Sequence, residues 1–425
     1  MKKNDNSIWI AILHMGLGTI LAQLINVVAQ PILTRLFSAE TLGIYTYLIS
    51  LATIVIPIAS LKLDMLVVSE ADDNEAQYMT DACIVLVVLV SIVYTITITI
   101  GYILPNENIF NKYGAVIFVV PLIVFVNGMR FLFISYLNRY KEYKIISVLG
   151  IIREGARALI QVGAGLFSGG VFWLSIGYAI APLFGFKIQL KQYFQKKKIR
   201  PRLTAQKFKE LVFEKGRQQI MFLLPAQFIN TFSSSLITVS IANLYSAKVL
   251  GYYSVGTRIL EIPIIFIAAN VSKVCYQKVS ENIANNRPVS KIVLSIVTVL
   301  SIISVLGFGL LYVIAPNISE IVFGSGYSIA GEYIRCLIIM YAVRLVTTSF
   351  AGVFTAFRKQ GFELIINVLL VVMAGASYLI CEKFGYEVEV YLNFINWSYS
   401  IVYLLMLSAY TIACYNYDKF LNRVK

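Results

Sequence analysis

Apolar residues in this chain come in blocks of about 20, separated by short polar runs, where a soluble protein would scatter them in short amphipathic stripes. A bilayer core about 30 Å thick takes roughly 20 apolar residues per helix. Read by that length, the pattern predicts about twelve spans, near 8–34, 42–61, 82–104, 114–137, 145–167, 171–190, 217–243, 250–277, 289–315, 329–356, 362–381 and 390–414. The tightest connection is Ser168-Gly169-Gly170, between the fifth and sixth. Composition agrees, with 58% hydrophobic and 14% charged residues and a mean hydropathy of +0.76, against about 25% charge in a soluble domain. The fold class is therefore an all-α polytopic membrane protein. Met1-Lys2-Lys3-Asn4-Asp5 leads into the first span without a small-residue cleavage site, and that span reads as a helix, not a removed signal.

Lys and Arg set the orientation. With the N-terminus in the cytoplasm, the inside segments carry 25 of them, including Lys62, Arg139, Lys141, Lys278, Arg358 and the run from Lys187 to Arg217. The outside loops carry Arg35, Lys112, Lys248 and Lys383. That asymmetry puts both termini in the cytoplasm. The basic run 191–216 reads as a cytoplasmic linker whose partners are anionic lipid headgroups and not nucleic acid. The loop after the second span is acidic instead (Glu70, Asp72, Asp73, Glu75). The five cysteines lie inside apolar blocks without paired spacing and read as small buried hydrophobes. The one histidine, His14, argues against a histidine metal site or a Ser-His-Asp triad, and reads as structural.

The two halves repeat each other. Ala22-Gln23-Leu24-Ile25-Asn26 matches Ala226-Gln227-Phe228-Ile229-Asn230, and Leu36–Tyr45 matches Leu244–Tyr253 at six of ten positions. Each copy starts in a first span and crosses an outside turn, so the unit is six helices and both copies point the same way. This predicts two parallel six-helix bundles, 1–190 and 217–425, around a central cavity. The repeat carries polar residues too. Thr19, Gln23, Asn26, Gln30 and Thr34 fall within an arc of about 80° on the first span, and Gln227, Asn230, Ser234 and Thr238 take the corresponding places in the seventh. Such a stripe serves either as interhelical hydrogen-bonding glue or as the wall of a water-filled cavity, and its duplication favours the cavity.

Seven basic residues remain inside spans: Arg130, Arg153, Arg157, Arg258, Lys273, Arg335 and Arg344. Each costs about 2.5–3.5 kcal/mol at the midplane, so the deep ones should not face lipid. Arg335 and Lys273 are near enough to helix ends to snorkel. Arg153 and Arg157 share a face with Glu154 beside them, and Arg258 lies three residues before Glu261, near a kink expected at Pro263. These are either structural ion pairs or a cargo site. Basic residues outnumber acidic ones, and surplus buried charge calls for a mobile anion. Arginine, always charged and able to grip phosphate with two donors, suits that task. The set Arg130, Arg153, Arg157, Arg258 and Arg344 is therefore the candidate anion site.

Three segments carry a family resemblance: Leu21-Ala22-Gln23-Leu24-Ile25-Asn26, Pro31–Phe37 with Leu42-Gly43-Ile44-Tyr45, and Leu61-Lys62-Leu63-Asp64 followed by Met65–Val68. Together they resemble the O-antigen and capsular polysaccharide flippases of the multidrug/oligosaccharidyl-lipid/polysaccharide (MOP) exporter superfamily. Lys62 stands where that family usually has arginine. The resemblance implies a MATE-like fold and alternating access, moving an undecaprenyl-diphosphate-linked repeat unit to the outer leaflet of the cytoplasmic membrane. It implies glycosyltransferases and a polysaccharide polymerase as pathway partners, and marks Arg35 and Asp64 as family-motif positions. No cofactor is expected. If transport is driven, Asp64, Glu154 and Glu261 are the carboxylates that would bind H+ or Na+. A drug/cation antiporter of the same superfamily would want a negatively charged cavity, and a polymerase or ligase would want a long outer loop.

Overall fold

The computed structural model describes residues 2–105, 108–167, 169–196, 203–357 and 361–424, and their side chains except those of 2–17, 196, 355 and 424. Of the positions singled out above, the side chains of His14 and Lys196, Ser168, Arg358 and the run 197–202 lie outside the described residues. Among the described residues the structure is helical, and eleven helices are long and apolar enough to cross a membrane. The remaining expected span, 145–167, is present as a helix over Tyr143–Leu166. It misses that apolar standard because Arg153, Glu154 and Arg157 sit in its middle. The protein is a multi-pass membrane protein.

The chain packs as two compact units, Met1–Val239 and Ser240–Lys425. In the first, α1 is Lys2–Leu36, α2 Ala39–Val55, α3 Asp73–Ile103, α4 Val119–Arg139 and α5 Tyr143–Leu166. The sixth span is split by Pro182 into α6 (Val171–Ile180) and α7 (Leu183–Lys196). α8 (Leu224–Leu244) begins in the first unit, where Thr231 and Ser235 donate to the α2 carbonyls of Ile54 and Ser50. By packing, the first unit thus extends past the linker and takes in residues 217–239. The second unit continues with α9 (Ala247–Pro263), α10 (Ala269–Ala284), α11 (Ser290–Phe323), α12 (Ser328–Thr348), α13 (Gly361–Phe384) and α14 (Val388–Val424).

The sequence repeat is visible as repeated capping. α1 ends at Leu36 and α8 at Leu244, two residues before Ser38 and Ser246. Each serine accepts a hydrogen bond from the N–H three residues on, Thr41 and Val249, both at 3.2 Å, so both following helices start at the same register. The fourth and tenth spans are the centres of their units, 67% and 61% buried against 17–50% for the other spans.

One intramembrane arginine is accounted for by the fold. Pro316 inside α11 has no N–H, which leaves the Tyr312 carbonyl without its helical partner. Arg335 of α12 supplies one: Nε donates to the Tyr312 carbonyl at 2.9 Å and Nη2 to Val313 at 3.2 Å, while Nη1 pairs with Glu332 at 3.0 Å. Arg335 seals a proline break. Gly331 lets α12 approach the same proline, since a Cβ there would lie 2.3 Å from the Pro316 Cα. Gly331→Ala should therefore lower the stability of the solubilised protein by about 1–3 kcal/mol through overpacking. A thermal-unfolding midpoint equal to that of the unaltered chain would refute so close a contact.

Candidate functional site

Two helices of the first unit touch because their facing residues are small. A Cβ on Gly18 of α1 would sit 2.4 Å from the Ser147 Cβ of α5, and Ala22 stands one turn on, opposite Gly150. This is the small-residue seam by which membrane helices approach closely. The seam residues also line a cavity of about 160 Å³, walled by α1, α4, α5 and α7. Thr19 and Gln23, Arg130, Ser147 and Arg153, and Gln189 bring polar groups to its wall.

The charges in and behind that wall are unbalanced. Glu154, 4% exposed, is not part of the cavity lining and is gripped from both sides by its helix neighbours. Arg153 Nη2 bonds its Oε1, and Arg157 Nη2 lies 2.5 Å from its Oε2. The Arg157 contact is an ion pair without hydrogen-bond alignment, for Oε2 has no hydrogen-bond donor. Arg157 also faces the Tyr178 ring at 5.7 Å, and Tyr178 meets Tyr45 edge-on. The Tyr45 hydroxyl in turn accepts a bond from Gln161 at 3.1 Å. Arg157 is thus built into the packing behind the wall. Arg130 makes a long bond to Asn127 Oδ1 (3.4 Å) and a contact over Phe131 (4.1 Å), and it lies within electrostatic reach of Arg153 on the unfavourable side and of Tyr178 and Glu154 on the favourable side. Three guanidinium groups and one carboxylate leave the cluster with a surplus of two positive charges, and two of the three arginines, Arg130 and Arg153, line the wall.

A second group lies within the second unit. Arg258 and Glu261 are one turn apart on α9, which runs through Pro263 into a widened π turn, Ile264–Ala268, at the expected kink. Arg344 of α12 stands 5.5 Å from the Tyr341 ring, with Glu261, Tyr253 and Tyr403 within electrostatic reach. The five arginines expected to bind anion therefore fall into two sets, Arg130, Arg153 and Arg157 in one unit, Arg258 and Arg344 in the other.

The polar stripe divides along its length. Gln23 lines the cavity and Asn26 is half-buried, whereas Gln30 and Thr34 are buried in helix packing. Gln227 is half-buried, and Asn230 and Ser234 are exposed. Of the motif positions, Arg35 donates to the Pro31 carbonyl of its own helix at 2.9 Å. Asp64 is held by Ser60 Oγ at 2.6 Å and Ser135 Oγ at 3.2 Å. All five cysteines are free, four of them buried. Sequence reasoning missed Gln189, 2% exposed with no bond to its Oε1. It stands between Lys187 and Lys191 at the very end of the span expected over 171–190, where the flanking charges point to orientation and not to a cavity wall.

Residues 32–330 match the family model described as polysaccharide biosynthesis protein. The chain belongs to that family. Solved structures agree on the fold of this polysaccharide biosynthesis protein, at identities that carry nothing further. The lipid II flippase MurJ in an inward closed conformation aligns with a TM-score of 0.75 at 12% identity, over 92% of this chain and 86% of its own. An inward-facing multidrug resistance MATE family transporter of the MOP superfamily aligns at 0.70 and 13%, over 97% and 99%. A MOP superfamily transporter from Pyrococcus furiosus, described as having a binding pocket of reverse polarity, aligns at 0.62 and 11%, over 96% of each. No curated protein matches the chain. The MATE-like fold expected from the motif resemblance is the fold observed.

Proposed function

We propose that this protein is a flippase that carries an undecaprenyl-diphosphate-linked oligosaccharide from the cytoplasmic to the outer leaflet of the cytoplasmic membrane, for surface polysaccharide assembly. The observation that carries the reading is the sign of the cavity: Arg130 and Arg153 on a polar wall, in a cluster where one carboxylate, Glu154, answers three arginines, in a chain of the polysaccharide biosynthesis family. A diphosphate carries the charge such a wall lacks, and the arginine fork matches its oxygens. Gln23, Ser147 and Gln189 offer both donors and acceptors, which is what sugar hydroxyls need. The MATE and MurJ likenesses support a transporter over an enzyme. The reverse polarity described for the Pyrococcus furiosus relative makes pocket sign a sensible guide to cargo in this fold. A drug/cation antiporter would desolvate a cation against Arg130 and Arg153, the wrong sign for its cargo.

In this reading both termini are cytoplasmic, glycosyltransferases supply the cargo and a polymerase consumes it outside. Asp64, Glu154 and Glu261 remain the carboxylates open to H+ or Na+ coupling. Glu154 is the weakest of them for that role, since two arginines already occupy its two oxygens. Purified protein in vesicles carrying a fluorescent undecaprenyl-diphosphate oligosaccharide should move the label between leaflets faster than protein-free vesicles. Equal rates in the two preparations would remove the proposal.

A further inference from the structure

Residues 204–216, a linker by sequence, are folded onto the first unit. Thr204 caps a short helix, Ala205–Lys209, by accepting from the Lys207 N–H at 3.2 Å, and a π turn follows over Glu210–Lys215. Leu211 and Val212, 0% and 3% exposed, enter the core that holds Leu63, Val67, Met79 and Tyr193. The acidic loop after the second span is the seat for the basic side chains. Lys207 Nζ lies 3.0 Å from Glu75 and 2.8 Å from Glu210, and Lys215 Nζ lies 2.6 Å from Glu75 and 3.7 Å from Glu70. The Glu210 bond raises the Lys207 pKa and the Glu75 bond that of Lys215. Raised ammonium values keep these pairs intact at neutral pH and lose them only as pH climbs past the ordinary lysine range.

Gly216 closes the seat. A Cβ there would lie 2.5 Å from the Leu63 Cδ2 and 2.7 Å from the Val212 carbonyl. Leu63 is presented by two successive left-handed residues, Leu61 (φ 52°) and Lys62 (φ 63°), a conformation that non-glycine residues adopt only when their surroundings hold them there. Buried side chains, and not the exposed ion pairs alone, hold the strap down.

The winding changes directly after the strap. Gln219–Leu223 is a π turn, and Pro225 behind it has no N–H for the Met221 carbonyl. A π turn takes in one residue more than an α turn and marks places where helices bend. From Leu224 the helix is regular, and it is held to α2 by the Ser235 bond to the Ser50 carbonyl at 3.2 Å, about three turns past the π turn, and only weakly by Thr231 nearer to it. Thr231 Oγ1 lies 3.5 Å from the Ile54 carbonyl but also 3.0 Å from the Gln227 carbonyl of its own helix.

We propose that residues 204–216 are a fixed part of the first unit and that the chain bends at the π turn Gln219–Leu223, so that α8 pivots while the strap stays seated. The placement of the hinge stands on packing; only the reason for its motion rests on the flippase reading. Hydrogen exchange on the full-length protein in nanodiscs tests it without cargo. Amides of 207–216 should exchange at least about tenfold more slowly than those of 219–224, and Pro225→Ala should slow only the latter, also by about tenfold. Equal exchange in the two segments, or no change in Pro225→Ala, overturns the hinge. A second arm fixes the strap with a bifunctional thiol reagent across Glu75→Cys and Lys215→Cys. The cross-linked protein should flip cargo at the rate of the untreated variant, and a loss of flipping on cross-linking overturns the fixed strap. Failure to cross-link overturns its seat. If the unaltered protein flips nothing, the flippase reading falls while the exchange result still decides the hinge.

Discussion

Arg130→Gln and Arg153→Gln should each slow flipping of a diphosphate-linked oligosaccharide in vesicles by about 10- to 100-fold, with the protein still present in the membrane at its usual level. The size follows from the chemistry of the contact. A hydrogen bond to a charged group contributes about 1.5–3 kcal/mol, and each of these side chains brings its charge to the cavity wall. Glutamine keeps most of the length and one donor, so the loss reads charge and not shape. The same substitution at Arg157 should have the smaller effect on rate: both Arg153 and Arg157 pair with Glu154, but only Arg153 lines the cavity, while Arg157 packs behind it against Tyr178. Flipping at full rate in both Arg130→Gln and Arg153→Gln would show that the cavity does not hold the anion. A loss confined to Arg157→Gln would put the cargo on the other side of α5.

Much of this arrangement could be read from residue order because membrane helices announce themselves. Backbone groups must bond within the helix in a bilayer, so apolar blocks map onto spans almost one for one. The Ser38 and Ser246 caps preserve the repeat in a form that alignment by eye can find. The details that were not legible depend on neighbours distant in sequence. Arg335 looks like surplus charge until Pro316, nineteen residues earlier, is seen to free the Tyr312 carbonyl it binds. Arg157 and Arg153 are equivalent by helical spacing, yet only Arg153 reaches the cavity, since Tyr178 from α6 takes the other. The acidic loop at Glu70 and Glu75 carries no orientation signal and was silent by sequence; the strap that it seats lies some 140 positions on, as the Lys215–Glu75 bond shows. Gln189 was hidden by its lysine neighbours.

Glu154→Gln should act on stability where the wall arginines act on rate. The carboxylate is 4% exposed and answers two guanidinium groups that are themselves 28% and 17% exposed. Removing one member of a buried ion pair leaves the rest uncompensated, at about 3–5 kcal/mol. The solubilised Glu154→Gln protein should therefore unfold at a clearly lower temperature, and adding Arg157→Gln should restore part of the loss by removing one stranded charge. Arg130→Gln should go the other way. Its guanidinium has no carboxylate bonded to it among the described contacts and sits near Arg153, so neutralising it relieves repulsion and should raise the unfolding temperature even as flipping fails. Opposite signs of stability and rate at Arg130 are what a residue kept for cargo and not for folding must show. If Arg130→Gln destabilises the protein as Glu154→Gln does, the arginine belongs to the fold, and the positive charge of the cavity is a by-product of packing.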